Sequence, residues 1–399
     1  MDTAHTAGFG AGQSCALWYL RDSGASFTFH DIVLPNPGGH KDFRDPTVFW
    51  HAPTERWVMT LSEEGKIGVY TSANLKQWRY ASGFASTIVG RVMECSHLFK
   101  LHLYDANGQM SADKWILLVG GNGTKLGFTV GAYYWVGDFD GTSFMADAPE
   151  GQWVDGGPDF YAAVVWIDPA AADPLAAAYA IAWMSNWDYV KKIPLAHDYR
   201  GQLSLVRQLR LQRIDDVPRL ISTPLAAQDT VFAEAITGQD QTIVEGSEYV
   251  WPTGAQTAAC RIDLTLTRVG QIWPAKVVLS VRADNRFATR FIFRAHDNII
   301  CLERSDSGPN QPDGDVWRQP RSIACDFTKG AVKISLFIDS GSVELFLADG
   351  TATMSALITA PLDATELHLK SAGGSVTVSD VAIRPFDKPG RSNPVLSAL

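Results

Sequence analysis

Three observations predict an all-β fold in two parts, a β-propeller followed by a C-terminal β-sandwich. Runs of β-branched and aromatic residues recur between glycine-marked turns. A tryptophan-led strand pair returns after one long interval in the first half of the chain. Beyond residue 240 or so, apolar and polar residues alternate strictly, as half-buried antiparallel strands require.

Arg56-Trp-Val-Met-Thr-Leu61 is the first clear strand, and Lys66-Ile-Gly-Val-Tyr-Thr71 follows a turn at Gly65. Lys114-Trp-Ile-Leu-Leu-Val119 repeats the pattern and is closed by Gly120 and Gly121. Ala132-Tyr-Tyr-Trp-Val136 comes next, then a turn at Asp138-Phe-Asp-Gly141, and later the strand Ala178–Met184. Trp57 and Trp115 open equivalent strands 58 positions apart. A repeat of that length, four short strands each, suits a large propeller blade; unrelated hairpins in a sandwich are the alternative.

Near residue 213 the texture changes. Asp215-Asp-Val-Pro218 and Ser222-Thr-Pro224 read as a connector, giving expected boundaries of 1–212 for the propeller part, 213–235 for the connector and 236–399 for the sandwich. Within the last part, Val332, Ile334, Leu336 and Ile338 share one strand face and Val343, Leu345 and Leu347 another, joined by the short turn Asp339-Ser-Gly-Ser342. Residues 305–318 read as a long polar loop, and the tail after Pro389 as frayed.

The 399 residues are 46% hydrophobic with a formal net charge of −9 and no Lys/Arg-rich run. Nucleic acid and anionic membranes are therefore not expected partners. No apolar run reaches the roughly 20 residues that span a bilayer, and the N-terminus lacks the basic start and apolar core of a signal peptide. Cys15, Cys95, Cys260, Cys301 and Cys325 are scattered without CxxC spacing, so neither a disulfide framework nor zinc is expected. The nine histidines show no HExxH-type pattern; no metal and no cofactor are expected.

Chemistry is expected of three acids. Asp45 sits between Arg44, which would keep it ionised, and Pro46, which places it at a strand end or turn; a purely structural Arg–Asp pair is the alternative. Glu94 lies in Val92-Met-Glu-Cys95, where apolar flanks raise a carboxyl pKa toward the range of a general acid; the alternative is a glutamate on the wet face of an edge strand. Asp159 stands in Gly157-Pro-Asp-Phe-Tyr-Ala162, an aromatic-flanked turn. Trp183 and Trp187 add indoles of the kind that stack on sugar C–H faces while acids accept hydroxyl hydrogen bonds. Core packing is the alternative for either tryptophan.

Phe43-Arg-Asp-Pro46, Glu94-Cys95, Asp159-Phe-Tyr-Ala162 and Trp183-Met-Ser-Asn-Trp187 occur in the order and rough spacing of glycoside hydrolase family 32, which holds invertases, inulinases, levanases and fructosyltransferases. Val136–Gly141, Arg207–Leu211, Arg304-Ser305 and Ser342-Val-Glu-Leu-Phe346 extend the resemblance from about Gln13 to about Phe386. It implies a five-bladed propeller, of which about three blades are represented here, followed by a sandwich. It implies a retaining attack on β-fructofuranosides, with a fructose-containing oligo- or polysaccharide as partner. Glu94 resembles the acid/base, and Asp45 the acid that grips fructose hydroxyls, with Arg44 beside it. Cys95, Asp159, Tyr161 and Trp183 match substrate-binding positions.

The pattern is departed from in places. The Asn-Asp-Pro motif carrying the family's nucleophile has no counterpart, Ser96-His97 stand where Pro-Asp is usual, and Val206 replaces a proline. The expectation is a chain that begins near the end of a second blade and is inactive by itself. Three readings follow: part of a working fructosidase, a chain whose absent blades come from a second chain, or a relative that only binds fructan. Secretion is implied by the resemblance alone.

Overall fold

Strand Arg56–Glu63 shows how the sequence builds the first part of the molecule. Val58 faces one apolar cluster, while Met59 and Leu61 face another. A strand buried on both faces must read as a near-continuous apolar run, which is what Trp-Val-Met-Thr-Leu supplies. It lies inside a four-stranded antiparallel meander of Phe43–His51, Arg56–Glu63, Lys66–Ser72 and Arg79–Phe84. One face of this meander packs with Cys15 and Leu34 of the hairpin formed by Cys15–Tyr19 and Thr28–Leu34. The other packs with Met93, Leu98, Leu117, Val119 and Trp135 of a larger sheet.

The computed structural model describes residues 12–86, 93–123, 130–193 and 201–386; the tail after Pro389 lies outside them. Two units are built from interleaved segments. The first comprises Met1–Val154, Tyr161–Ala182 and Arg210–Leu220, and the second Asp155–Phe160, Trp183–Leu209 and Ile221–Leu399.

In the first unit the large sheet runs Phe144–Ala146, Val130–Phe139, Met110–Asn122 and Met93–Tyr104, all antiparallel, and then meets Arg207–Ile214 in parallel through Leu211 and Leu103. Residues 213–224, expected as part of a connector, instead complete a hairpin: Val217–Pro224 pairs with Arg207–Ile214. Asp215 and Asp216 turn it with φ of 48° and 63°. Two consecutive left-handed residues make the tight turn that matches strand twist, and aspartate tolerates that conformation better than most side chains.

The second unit is a β-sandwich. One sheet orders Ile236–Thr237, Val376–Pro385, Cys260–Arg268, Ala331–Ile338, Ser342–Leu347 and Thr353–Leu357; the other orders Arg321–Ala324, Ile299–Glu303, Thr289–Arg294, Lys276–Ala283 and Glu366–Ala372. The alternating residues Val332, Ile334, Leu336, Ile338, Val343, Leu345 and Leu347 all enter its core. The expected polar loop contains a helical turn, Asp315–Arg318, because Trp317 buries itself beneath Arg304, whose guanidinium carbon lies 3.8 Å above the ring.

Carboxylates finish this unit's edge. Among the described residues, Thr353–Leu357 has no neighbouring strand on one side, and an open edge invites mispairing. The segment Asp155–Phe160 covers it. Gly156 N–H donates to Thr353 O at 2.9 Å and Asp159 N–H to Ser355 O at 3.1 Å. Ser355 N–H donates to Asp155 Oδ1 at 2.8 Å and Leu357 N–H to Asp159 Oδ2 at 2.9 Å. Side-chain oxygens thus stand in for strand carbonyls. Gly157 permits the approach, since a Cβ there would lie 2.2 Å from Ser355 O.

Each substitute acceptor has a buried arginine. Arg207 donates to Asp155 and Glu344, both at 2.8 Å, between the rings of Phe160 and Phe346. Arg304 donates to Asp159 at 2.6 Å and to the Tyr189 hydroxyl at 2.8 Å. Removing one partner of such a pair strands a charge away from water. Arg304→Met is expected to lower the unfolding free energy in urea by about 3–5 kcal/mol. Adding Asp159→Leu to that variant should recover most of the loss; a double variant as unstable as the single would show that the charge pair is not the source.

His97, on strand Met93–Tyr104 of the first unit, supplies a pH test. Burial lowers its pKa from 6.5 to about 4. The unfolded chain therefore binds the proton first. Stability from the neutral imidazole is complete above pH 6.5 and is lost as pH falls from 6.5 toward 4. His97→Gln should flatten the unfolding free energy across that window by up to about 3 kcal/mol, at ~1.4 kcal/mol per pKa unit. Parallel pH profiles for the two proteins would exclude His97 as the cause.

Candidate active site

Three strands of the first unit bring their first residues to one place, each by the same backbone device. Phe43–His51 and Met93–Tyr104 carry register shifts between Arg44 and Thr47 and between Glu94 and His97. At each shift, and at the start of Tyr161–Trp166, a non-glycine residue is left-handed: Asp45 at φ 57°, Cys95 at 50° and Ala162 at 50°. A bulge bends its strand and re-aims the flanking side chains. The left-handed conformation costs roughly 1–2 kcal/mol for an L-residue, so surrounding contacts have to hold it. Pro46 fits here because Phe43–His51 is an edge strand and the bulge removes the need for its missing N–H. Asp45 is therefore neither at a strand end nor in a turn, as expected, but at a bulge just inside the strand.

The device gathers Arg44, Asp45, Glu94, Cys95 and Tyr161. Arg44 Nε donates to Glu94 Oε1 at 3.0 Å, and Nη2 reaches the same oxygen. The Tyr161 hydroxyl donates to Glu94 Oε2. Gly120, opposite Glu94 in the ladder, makes room for that ring, since a Cβ there would lie 2.9 Å from Tyr161 Cε2. Asp45 Oδ2 accepts from the Cys95 backbone N–H at 3.2 Å and lies 3.6 Å from the Cys95 thiol.

Electrostatics follow from this geometry. Burial, and then the charges of Asp45 and Glu94, push the Cys95 thiol up, so it stays protonated and able to donate. Burial and Glu94 do the same for the Tyr161 hydroxyl. Burial alone would lower the Arg44 pKa, but Glu94 and Asp42 outweigh it and raise it.

One expected pairing is corrected. Arg44 was expected to hold Asp45, yet its Nε is 4.0 Å from Asp45 Oδ2 while its hydrogen bonds go to Glu94 and Asp42. Asp45 keeps the ion pair with Arg44, and its hydrogen bonds come from Cys95. The two carboxylates flank one guanidinium nitrogen, at 3.0 and 4.0 Å, so their oxygens are no farther apart than those distances combined. Both remain partly open, with 15% of the Glu94 and 23% of the Asp45 side chain exposed.

The other two expected residues lie in the second unit. Asp159, expected to face sugar, is fully buried. Tyr189 donates to its Oδ1 at 2.5 Å, and Arg304 and Leu357 N–H occupy Oδ2. This carboxylate is closed to a sugar hydroxyl. Its aromatic-flanked turn gave no sign of a partner 145 residues away. Trp183 is half-buried and packs at 5.1 Å from the exposed Trp187. Two groups at the first-unit site were not read from the sequence, Asp42 and Gln13, which both accept from Arg44 Nη1. For Asp42 a signal existed, an acid two positions before Arg44 and just ahead of the strand. For Gln13 there was none.

Comparison with known proteins bears on this site and fold. The profile described as "Glycosyl hydrolases family 32 N-terminal domain" matches residues 3–224, and that described as "Glycosyl hydrolases family 32 C terminal" matches residues 228–385. A levanbiose-producing levanase of Bacillus subtilis (strain 168) is 34% identical over 97% of this chain and 76% of its own length. A levanbiose-producing levanase of Geobacillus stearothermophilus is 39% identical over 78% of this chain and 80% of its own. A levanase of the same Bacillus subtilis strain is matched over only 56% of its length. The crystal structure of an exo-inulinase from Aspergillus awamori superposes with a TM-score of 0.81 at 29% identity, over 94% of this chain and 74% of that one. With both halves matched, and with an all-β fold of β-propeller and β-sandwich, the chain belongs to glycoside hydrolase family 32.

Proposed function

We propose that this chain handles β-fructofuranosides, with Glu94 as proton donor to the glycosidic oxygen and Asp45 as the acid that grips ring hydroxyls. The observation that carries this reading is the convergence of both carboxylates on Arg44, with Tyr161 on Glu94 and Cys95 on Asp45. The levanase, inulinase and invertase names of similar proteins support the substrate class. As Glu94 protonates the departing oxygen, positive charge develops on the fructosyl ring, and the Asp45 carboxylate beside it is suited to steady that charge. Trp183 and its neighbour Trp187, in the second unit, are indoles of a kind suited to stacking on a sugar face.

Retention of configuration requires a second carboxylate about 5–5.5 Å from the proton donor, acting as nucleophile. The Asp45 carboxylate is tethered by the Cys95 N–H. A second reading, in which the chain binds fructan without cutting it, rests on that tether, which suits holding a hydroxyl better than attack on the ring. Whether water or a sugar hydroxyl accepts the fructosyl group, in a complete site of this kind, separates a hydrolase from a transferase.

Calorimetric titration with 1-kestose, sucrose and levan oligosaccharides tests the site. The chain is expected to bind at least one of them, and Asp45→Ala to weaken that binding about tenfold or more, since hydrogen bonds to charged groups are the strong ones. Failure of all three sugars to bind would remove the site assignment. Reducing-sugar assays are expected to detect no fructose release. Release that vanishes in Glu94→Ala would overturn the absence of turnover and point to another carboxylate as nucleophile.

A further inference from the structure

Arg44 carries its donors in a rigid planar fork. The Nε and Nη2 edge is taken by Glu94 Oε1. The remaining nitrogen, Nη1, donates to Asp42 Oδ1 at 2.5 Å and to Gln13 Oε1 at 3.3 Å. The same Gln13 oxygen accepts from the backbone N–H of Phe43 at 3.0 Å. One amide oxygen therefore holds both the first residue of the site strand and the guanidinium of the second, from a position 31 residues earlier in the chain. Gln13 stands just ahead of strand Cys15–Tyr19, whose Cys15 is buried in a cluster with Phe43, so packing fixes the residue from which the amide reaches out.

A guanidinium among several carboxylates has several orientations of similar energy. Asp42 and Glu94 hold opposite ends of the fork through carboxylates that are themselves side chains with rotatable bonds. A second acceptor on the same nitrogen as Asp42, tied to the backbone at Phe43, limits that freedom and leaves the opposite edge for Glu94. We propose that Gln13 is a positioning residue of the candidate active site, acting through Arg44 to hold the fork on Glu94. The proposal rests on the reading of Glu94 and Asp45 as the sugar-handling pair.

The test uses the whole chain and two readouts. In a proton–nitrogen correlation spectrum the Arg44 Nε–H signal is identified by its absence in Arg44→Lys. Gln13→Met keeps the side-chain length and removes the acceptor; it is expected to move or broaden that signal and to weaken 1-kestose binding about tenfold, with little change in thermal midpoint. Gln13→Glu keeps an acceptor oxygen and should restore both signal and binding. An unmoved Arg44 signal in Gln13→Met, with or without a lower thermal midpoint, would overturn the proposal and leave Gln13 as an anchor of the Phe43 backbone. The two readings fail separately. A responsive signal with no fructoside bound by the wild-type chain removes the sugar reading and keeps the clamp, while sugar binding with an unresponsive signal removes the clamp alone.

Discussion

The contact between Arg44 and Glu94 organises the candidate site. Asp42, Asp45 and Glu94 all lie around one guanidinium, and without it three partly desolvated carboxylates would repel one another. The cation allows two acids to lie close together while each keeps a different set of hydrogen-bond donors. Glu94 is bracketed by Arg44 and Tyr161, and Asp45 rests on Cys95. Two carboxyl groups in distinct environments are what a division of labour between proton donor and charge stabiliser needs.

That contact exists only because the backbone departs from regular strand geometry at the right residues. A regular strand alternates its side chains and would send Arg44 and Asp45, or Glu94 and Cys95, to opposite faces. The left-handed residues at 45, 95 and 162 break the alternation just inside the start of each strand and leave the rest free to pack. Leu98, Leu117 and Val119 then fill an ordinary apolar core a few residues away. The conformational cost sits at the site, and the core repays it.

The second unit uses charge for a different purpose. Asp155 and Asp159 act as substitute carbonyls along the edge of Thr353–Leu357, and Arg207 and Arg304 neutralise them in places water does not reach. Buried ion clusters of this kind add little net stability compared with well-packed apolar groups, but they are unforgiving of misalignment. Here they fix the register of the covering segment against the sandwich edge. The same residue types thus gather at the candidate site in the first unit and finish a sheet edge in the second.

The sequence by itself determined the strands, because period-two burial is a local property: the alternation in Ala331–Ile338 and the unbroken apolar run in Arg56–Leu61 state which faces are covered. It also determined which acids merit attention, since Arg44-Asp45-Pro46 and Glu94-Cys95 combine charge with apolar flanks within a few residues. It misjudged residues 213–224 as connector, because a prolyl residue and paired aspartates mark a hairpin turn and a linker alike. Tertiary structure alone decided which acid Arg44 serves, since Glu94 is 50 residues away and competes with the adjacent Asp45. It alone separated Asp159 from Asp45, both acids in aromatic surroundings, by giving one a buried arginine 145 residues distant and leaving the other partly open. Hydrogen-bond partners of that separation are chosen by how sheets pack, and nothing in the spacing of a single strand records the choice.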